Sequence, residues 1–171
     1  MARIIGLAGS LRQGSFNAAL LRSAVEVAPQ GSDLEIASIA GIPLYNFDLE
    51  VAGVPEAVVA LKDRLVDARG LLLVTPEYNH SVPGVFKNAI DWLSRPPKDI
   101  PRVFRDKAVA TMGASSGGGG TRLSQAAWLP VLRTLGTRPW FGKQLYVANA
   151  GKVFDENGTL IDDEVRKQLT D

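Results

Sequence analysis

Short apolar stretches alternate along the chain with longer stretches in which apolar residues recur at helical spacing. The short stretches predict five β-strands, at residues 4–7, 34–38, 71–74, 107–112 and 145–148. The third of these reads Leu-Leu-Leu-Val, a continuous apolar run that is typical of a strand buried on both faces of a parallel sheet. We therefore expect that strand at the centre of the sheet.

Helices are predicted between the strands, from apolar residues spaced three and four positions apart. They cover residues 16–27, 57–66, 85–93 and 123–135, with a short charged helix at 162–169. Residues 42–55 are predicted to be loop, because prolines and glycines interrupt them. Right-handed crossovers place helices on both faces of a parallel sheet. The chain is thus predicted to be an α/β protein, a three-layer sandwich with a five-stranded parallel sheet, forming one domain over residues 1–171.

Composition limits the chemistry that is available to the chain. The 19 basic and 18 acidic residues leave a formal net charge of +1 and form no basic stripe, so nucleic acid is not expected as a partner. The absence of cysteine excludes disulfides, thiolate nucleophiles and Cys-ligated metal centres. Redox activity would then need a bound organic cofactor. Without a signal-peptide pattern or an apolar run of about 18 residues, we expect a cytoplasmic protein that does not enter a membrane.

The first candidate loop, residues 9–17, joins the first strand to the first helix, where open α/β sheets bind ligands. Ser10, Ser15 and Asn17 add donors to the free amides of a helix N-terminus, and Arg12 adds a fork suited to phosphate. Ser15 stands where a triphosphate-binding loop needs lysine, and G-x-G-x-x-G is absent, so a single terminal phosphate fits best. The alternative is that Ser15 only caps the helix and Arg12 is a surface residue.

The second candidate loop, residues 75–84, follows the most buried strand and contains two prolines and a glycine that restrict its shape. Backbone amides of residues 77–79 are predicted to bond the edge of a planar ring such as a flavin, with Tyr78 as an aromatic surface beside it. Packing for Tyr78 and turn stabilisation for Asn79 are the alternatives. On the following helix, Asn88 and Asp91 are expected to be structural polar residues.

The third candidate loop, residues 113–122, is rich in glycine, which lets a backbone pass close to a ligand. A flexible loop without contacts is the alternative. Residues 113–117 also match the G-x-S-x-G elbow of α/β hydrolases, but that fold places its histidine after the serine, and the only histidine, His80, precedes it. A metal site is equally disfavoured, because no second histidine or cysteine exists. We expect His80 at the surface or at the edge of a pocket.

Taken together, residues 9–17, 76–84 and 86–94 resemble the NADPH-dependent FMN reductases of flavodoxin-like fold, which include quinone, azo and chromate reductases. The resemblance covers nearly the whole chain. The loop of this chain at residues 117–120 contains more glycines than the pattern of that family.

The resemblance implies a set of FMN-binding residues. The phosphate would be held by Ser10, Arg12, Ser15, Phe16 and Asn17, and the isoalloxazine ring would meet Pro76, Glu77, Tyr78, Asn79, Ser115 and Gly118. It also implies homodimers or homotetramers with FMN near a subunit interface.

Function follows as an expectation from the same resemblance. NADPH or NADH would reduce bound FMN, and a small-molecule electron acceptor, such as a quinone, azo compound, metal oxyanion or free flavin, would then reoxidise it in a ping-pong cycle. No side chain is predicted to be an obligatory acid or base. The alternative is a flavodoxin-type electron carrier, but such carriers are strongly acidic and this chain is nearly neutral.

Overall fold

Parallel strands form the centre of the molecule, in a computed structural model that describes residues 1–171. The strands are β1 (Ala2–Ala8), β2 (Ser32–Ala37), β3 (Gly70–Val74), β4 (Ala108–Ala114), β5 (Arg138–Pro139) and β6 (Leu145–Val147). The helices are α1 (Phe16–Glu26), α2 (Phe47–Ala52), α3 (Glu56–Val66), α4 (Gly84–Leu93), α5 (Ile100–Val103), α6 (Arg122–Thr134) and α7 (Asp163–Thr170). None of these helices combines the length and the apolar character that a membrane-spanning segment needs.

The order of the sheet is β2-β1-β3-β4-β5, with β6 also paired to β4, and every pairing is parallel. This is the strand order of the flavodoxin-like fold, so the predicted fold class is confirmed. As predicted, β3 lies at the centre. Its residues Leu71, Leu73 and Val74 are almost completely buried.

The fifth position of the sheet differs from the prediction. Two short strands share it, since β5 pairs with Ala108 and Val109 of β4, while β6 pairs with residues 112–114. Only the second of these strands was predicted. A strand of two residues that ends in Pro139 leaves no alternating pattern to detect.

The prediction that residues 42–55 are loop was wrong in part, because they contain α2. The Asn46 side chain accepts a hydrogen bond from the Asp48 amide at 2.8 Å and so caps this helix. Asn46 and Gly53, which favour loops, bound the helix instead of interrupting it. The short helix α5 was also missed, since its four residues are too few to show a period.

Two hydrophobic clusters cover the two faces of the sheet. The larger, of 19 buried residues, packs α3, α4 and α6 against one face, where β1 contributes Ile5 and Leu7. The smaller, of 13 residues, packs α1 and the segment after β6 against the other face. Successive strand residues point to opposite faces of the sheet, so a single strand such as β3 contributes residues to both clusters. These layers hold the carboxyl ends of β1, β3 and β4 side by side.

Side chains of α4 hold the segment before α2 in place. Asn88 donates to the carbonyl oxygen of Pro43 at 2.8 Å and accepts from the Tyr45 amide at 2.8 Å, while the Trp92 indole also donates to Pro43 at 2.9 Å. Asn88 is therefore a structural polar residue. Asp91 instead pairs with Lys87 on the surface of the same helix, at 2.7 Å.

We expect the stability of the chain to fall at acid pH partly through Glu50. The Tyr45 hydroxyl donates to its carboxylate at 2.7 Å and Arg95 pairs with it at 2.9 Å, which together hold the pKa of Glu50 below its ordinary value although burial acts the other way. A lowered folded-state pKa stabilises the fold above the unfolded value of about 4.3, and that contribution is lost as pH falls through the folded-state pKa.

Tyr45→Phe removes the largest cause of this shift. The free energy of unfolding in urea should differ between wild type and variant at neutral pH, and the difference should shrink as pH falls below about 4. A difference that stays constant down to about pH 3 would contradict the assignment.

Candidate active site

The loops that follow β1, β3 and β4 meet at the carboxyl edge of the sheet and enclose a cleft of about 300 Å³. Nine of the residues predicted to bind FMN line it: Ser10, Arg12, Ser15, Phe16, Asn17, Pro76, Glu77, Tyr78 and Ser115. The three loops are separated by about sixty and thirty residues in sequence, and the parallel topology brings them together.

Four residues differ between the predicted set and the lining of the cleft. Asn79 and Gly118 are exposed outside the lining, while Ala114 and Ser116 belong to it and were not predicted. Ala114 and Ser116 flank Ser115 at the end of β4, and this position next to a predicted site residue could have identified them from the sequence.

The start of α1 offers hydrogen-bond donors to one end of the cleft. The Ser15 hydroxyl caps the helix by accepting from the Ala18 amide at 3.3 Å. The amides of Phe16 and Asn17 take part in no hydrogen bond, as expected for a first helical turn. Together with the positive end of the helix dipole, these free amides favour an anion.

The Arg12 guanidinium lies over the same end of the cleft. Its carbon is 5.1 Å from the centre of the Phe16 ring, a cation–π distance, and one of its nitrogens donates to the Gly14 carbonyl at 2.6 Å. Phe16 is itself stacked on Phe154, with ring centres 6.1 Å apart. Local contacts therefore hold the guanidinium in place and leave other N–H groups free to bond an anion.

Asn17 connects two walls of the cleft. Its amide nitrogen donates to the Ala114 carbonyl at 2.8 Å, and its oxygen accepts from the Ala114 amide at 2.9 Å. The side chain is almost fully buried, so these bonds join α1 to the end of β4 across 97 positions of sequence. A structural bridge of this kind was not anticipated for Asn17.

The loop after β3 turns back on itself at Tyr78. The Tyr78 amide donates to the Ser81 carbonyl at 3.1 Å, and the Ser81 amide donates back at 3.0 Å. Asn79 and His80 form the turn, with φ of 50° and 60°, as the primed turns of hairpins require. Of the three backbone amides predicted to bond the edge of a planar ring, that of Tyr78 is therefore already bonded within its own loop. The Tyr78 ring is about half exposed.

Buried contacts fix the floor of the cleft beneath this loop. Thr75 is fully buried, with its hydroxyl 2.9 Å from that of Ser124 and accepting from the Trp128 indole at 3.1 Å. A Cβ atom on Gly113 would collide with the Thr75 carbonyl oxygen, so β3 and β4 approach closely here because position 113 has no side chain.

The geometry of the cleft bears on two alternatives, a catalytic serine triad and a metal site. The Ser115 hydroxyl donates to the Gly117 carbonyl at 3.2 Å and has no histidine partner, since His80 is 81% exposed with Nδ1 3.4 Å from a Glu77 oxygen. A serine triad would need that partner. No group of three or more acidic or histidine residues is placed to hold a metal ion.

Comparisons with known proteins agree with this arrangement. The profile of the NADPH-dependent FMN reductases matches residues 2–152. The chain is 42% identical to the NAD(P)H-dependent FMN reductase PA1204 of Pseudomonas aeruginosa, over 98% of this chain and 89% of that protein. It is 37% identical to the 2-hydroxy-1,4-benzoquinone reductase of a Burkholderia species, over 98% and 90% of the two chains.

A solved structure extends the likeness to three dimensions. FerB, a flavoenzyme NAD(P)H:(acceptor) oxidoreductase from Paracoccus denitrificans, matches with a TM-score of 0.88 and 33% identity, over 99% of this chain and 92% of FerB. The matched residues include the first and second loops of the cleft and the glycine run of the third. On its sequence and its fold, this chain belongs to the family of NADPH-dependent FMN reductases.

Proposed function

We propose that the chain is an NAD(P)H-dependent oxidoreductase that holds one FMN in the cleft of its flavodoxin-like domain and reduces small acceptors. The observation that carries this proposal is the convergence of three loops on one cleft, with anion donors at one end and an aromatic side chain at the other. Quinones are the acceptors we favour, because relatives named as quinone reductases align over the whole chain. Azo compounds, metal oxyanions and free flavins are further candidates.

The donors at the α1 end fit the phosphate of FMN. The free amides of Phe16 and Asn17, the Arg12 guanidinium and the hydroxyls of Ser10 and Ser15 make a set that contains no carboxylate to hold a magnesium ion and no lysine. Such a set suits one terminal phosphate better than a pyrophosphate or triphosphate.

The other end of the cleft fits a planar ring. Pro76 and the hairpin turn at Asn79 and His80 restrict the loop that presents Tyr78, and Ser115 faces it from the end of β4. Bound there, FMN supplies the chemistry by accepting a hydride from NAD(P)H and delivering electrons to the acceptor. The residues of this chain would bind and orient the group.

We propose that one face of the bound ring stays accessible and that NAD(P)H and the acceptor use it in turn. The proposed kinetic mechanism is therefore ping-pong, in which oxidised nicotinamide leaves before the acceptor enters. His80 takes no part in it, since its side chain points into solvent. We further propose that the protein is cytoplasmic and forms homodimers or homotetramers, as the family resemblance implies.

Flavin titration tests the proposal directly. Fluorescence quenching should show one FMN bound per chain, with affinity in the order FMN above riboflavin, because only FMN carries the phosphate. Equal affinity for FMN and riboflavin would contradict the proposal that the first loop binds the phosphate.

Anaerobic stopped-flow then separates the enzyme from an electron carrier. NADH or NADPH should bleach the bound flavin before any acceptor is added, steady-state double-reciprocal plots should be parallel, and His80→Ala should retain most of the activity. Failure of both nicotinamides to bleach the flavin would favour the carrier, which the near-neutral charge of the chain opposes.

A further inference from the structure

Helix α6 begins beside the cleft without a capping side chain of its own. Thr121 occupies the N-cap position but makes no side-chain capping bond, and its hydroxyl accepts instead from the side-chain amide (Nε2) of Gln125 at 3.0 Å. The first turn of α6 also contains no acidic residue. The amides at the start of this helix must then be satisfied from elsewhere.

Glu77, from the loop after β3, supplies the missing cap. One of its carboxylate oxygens accepts from the amides of Leu123 and Ser124, at 2.9 and 3.0 Å. Its side chain is only 15% exposed, so solvent screens this contact weakly. A carboxylate at the positive end of a helix is favoured both by its hydrogen bonds and by the helix dipole.

The glycine run at residues 117–120 is joined to α6 through Thr121, so one end of the run is fixed by the position of that helix. At its other end, the Gly117 carbonyl accepts from the Asn149 amide at 3.0 Å. Between these two ends, a Cβ atom on Gly118 or Gly119 would meet no atom within 4 Å. Glycine is the residue with the most conformational freedom to lose, so the path of this segment, which continues the third loop beyond Ser115 and Ser116 of the lining, is set by its ends.

Two links join the loop after β3 to α6, and they lie at different depths. Thr75 bonds Ser124 and Trp128 beneath the cleft, where Thr75 is fully buried. Glu77 makes its link in the lining of the cleft itself. Its carboxylate therefore ties the loop that presents Tyr78 to the start of α6, the helix that follows the third loop of the cleft.

We propose that Glu77 is a positioning residue whose side chain clamps the loop after β3 to the start of α6, which holds the second and third loops of the cleft in register and thereby raises the affinity of the cleft for the planar ring of a flavin. The ligand contact comes from the backbone and neighbours of Glu77, while its carboxylate is committed to α6. This inference rests on the proposed function for the identity of the ligand, and the clamp itself can be measured without any ligand.

The prediction separates the ring end of the cleft from the phosphate end. Glu77→Ala should weaken FMN and riboflavin by the same factor, about tenfold, because the clamp acts on the part that both flavins share. In the protein without flavin, hydrogen exchange at the Leu123 and Ser124 amides should accelerate by about tenfold or more, since these amides lose their acceptor. Mass spectrometry of the peptide that spans α6 reports this exchange.

Conservative variants test the chemistry of the clamp. Glu77→Gln should keep both affinities within about threefold of wild type, since both amides bond a single oxygen that glutamine also has. Glu77→Asp keeps the charge but shortens the side chain, so it should resemble Glu77→Ala, and it carries the test if Glu77→Ala does not fold.

Asp162→Ala is the matched control, because Asp162 caps α7 by accepting from the Val165 amide at 2.9 Å and lies outside the lining of the cleft. It should lower the melting temperature without changing either flavin affinity. If Glu77→Ala also lowers only the melting temperature and leaves both flavin affinities unchanged, the proposal is overturned. It is overturned as well if Glu77→Ala weakens the binding of FMN but not that of riboflavin. If wild type binds neither flavin, the proposed function fails, and unchanged exchange at Leu123 and Ser124 would then overturn the clamp independently.

Discussion

Gly113→Ala should destabilise the folded chain by about 3 kcal/mol, the largest effect that we expect from a single methyl group in this protein. A Cβ atom at this position would overlap the carbonyl oxygen of Thr75 and the hydroxyl of Thr121. The first of these is backbone, held in the sheet because the Thr75 amide donates to Met112 at 2.9 Å. The strands β3 and β4 must then separate at the floor of the cleft, and a close-packed sheet cannot relax at low cost.

Urea unfolding of Gly113→Ala and Gly118→Ala measures this effect against a control in the same loop. A Cβ atom on Gly118 meets nothing within 4 Å, so we expect its free energy of unfolding within about 0.5 kcal/mol of wild type. Similar losses in both variants would show that the close approach at Gly113 is not the cause. Gly118→Ala also tests a site residue, because contact between this backbone and a flavin ring would weaken flavin binding without loss of stability.

The order of strands and helices could be predicted because each element that forms the core carries its own period. The apolar run at residues 71–74 identified the central strand, and helical spacing identified α1, α3, α4 and α6 to within a few residues. The elements that were not predicted are short or are stabilised by contacts between residues distant in sequence. The helix α2 is stabilised by the Asn46 cap and by the bonds from Tyr45 and Arg95 to Glu50, none of which appears as a local period.

Much of the candidate site could be predicted for a topological reason. Three chemically unusual loops follow strands that lie side by side, so their convergence follows once the sheet is parallel. The roles of individual polar side chains could not be predicted in the same way. Asn17 bonds Ala114 across 97 positions and Glu77 caps α6 across 46, and no pattern in a single sequence reports such pairs. The same limit hid the bonded amide of Tyr78, which depends on the hairpin turn.

Arg12→Ala should weaken FMN binding by about 1.5–3 kcal/mol, or about ten- to 150-fold in Kd, because a charge-assisted contact to the phosphate is lost. The fold should be unaffected, since Arg12 is exposed and its own contacts are local, to Phe16 and to the Gly14 carbonyl. Arg12→Lys keeps the charge but lacks the planar fork, so we expect an intermediate affinity.

Riboflavin is the control for this variant, because it lacks the phosphate and should bind wild type and Arg12→Ala equally well. Salt gives a second control, since added salt should weaken FMN binding to wild type more than to the variant. If Arg12→Ala lost riboflavin affinity as strongly as FMN affinity, Arg12 would be acting on the ring end of the cleft or on the fold. The two substitutions are thus expected to give different results in one titration. Loss of Arg12 should weaken the binding of FMN alone, whereas loss of Glu77 should weaken the binding of both flavins equally. That contrast locates the two ends of the ligand within the cleft.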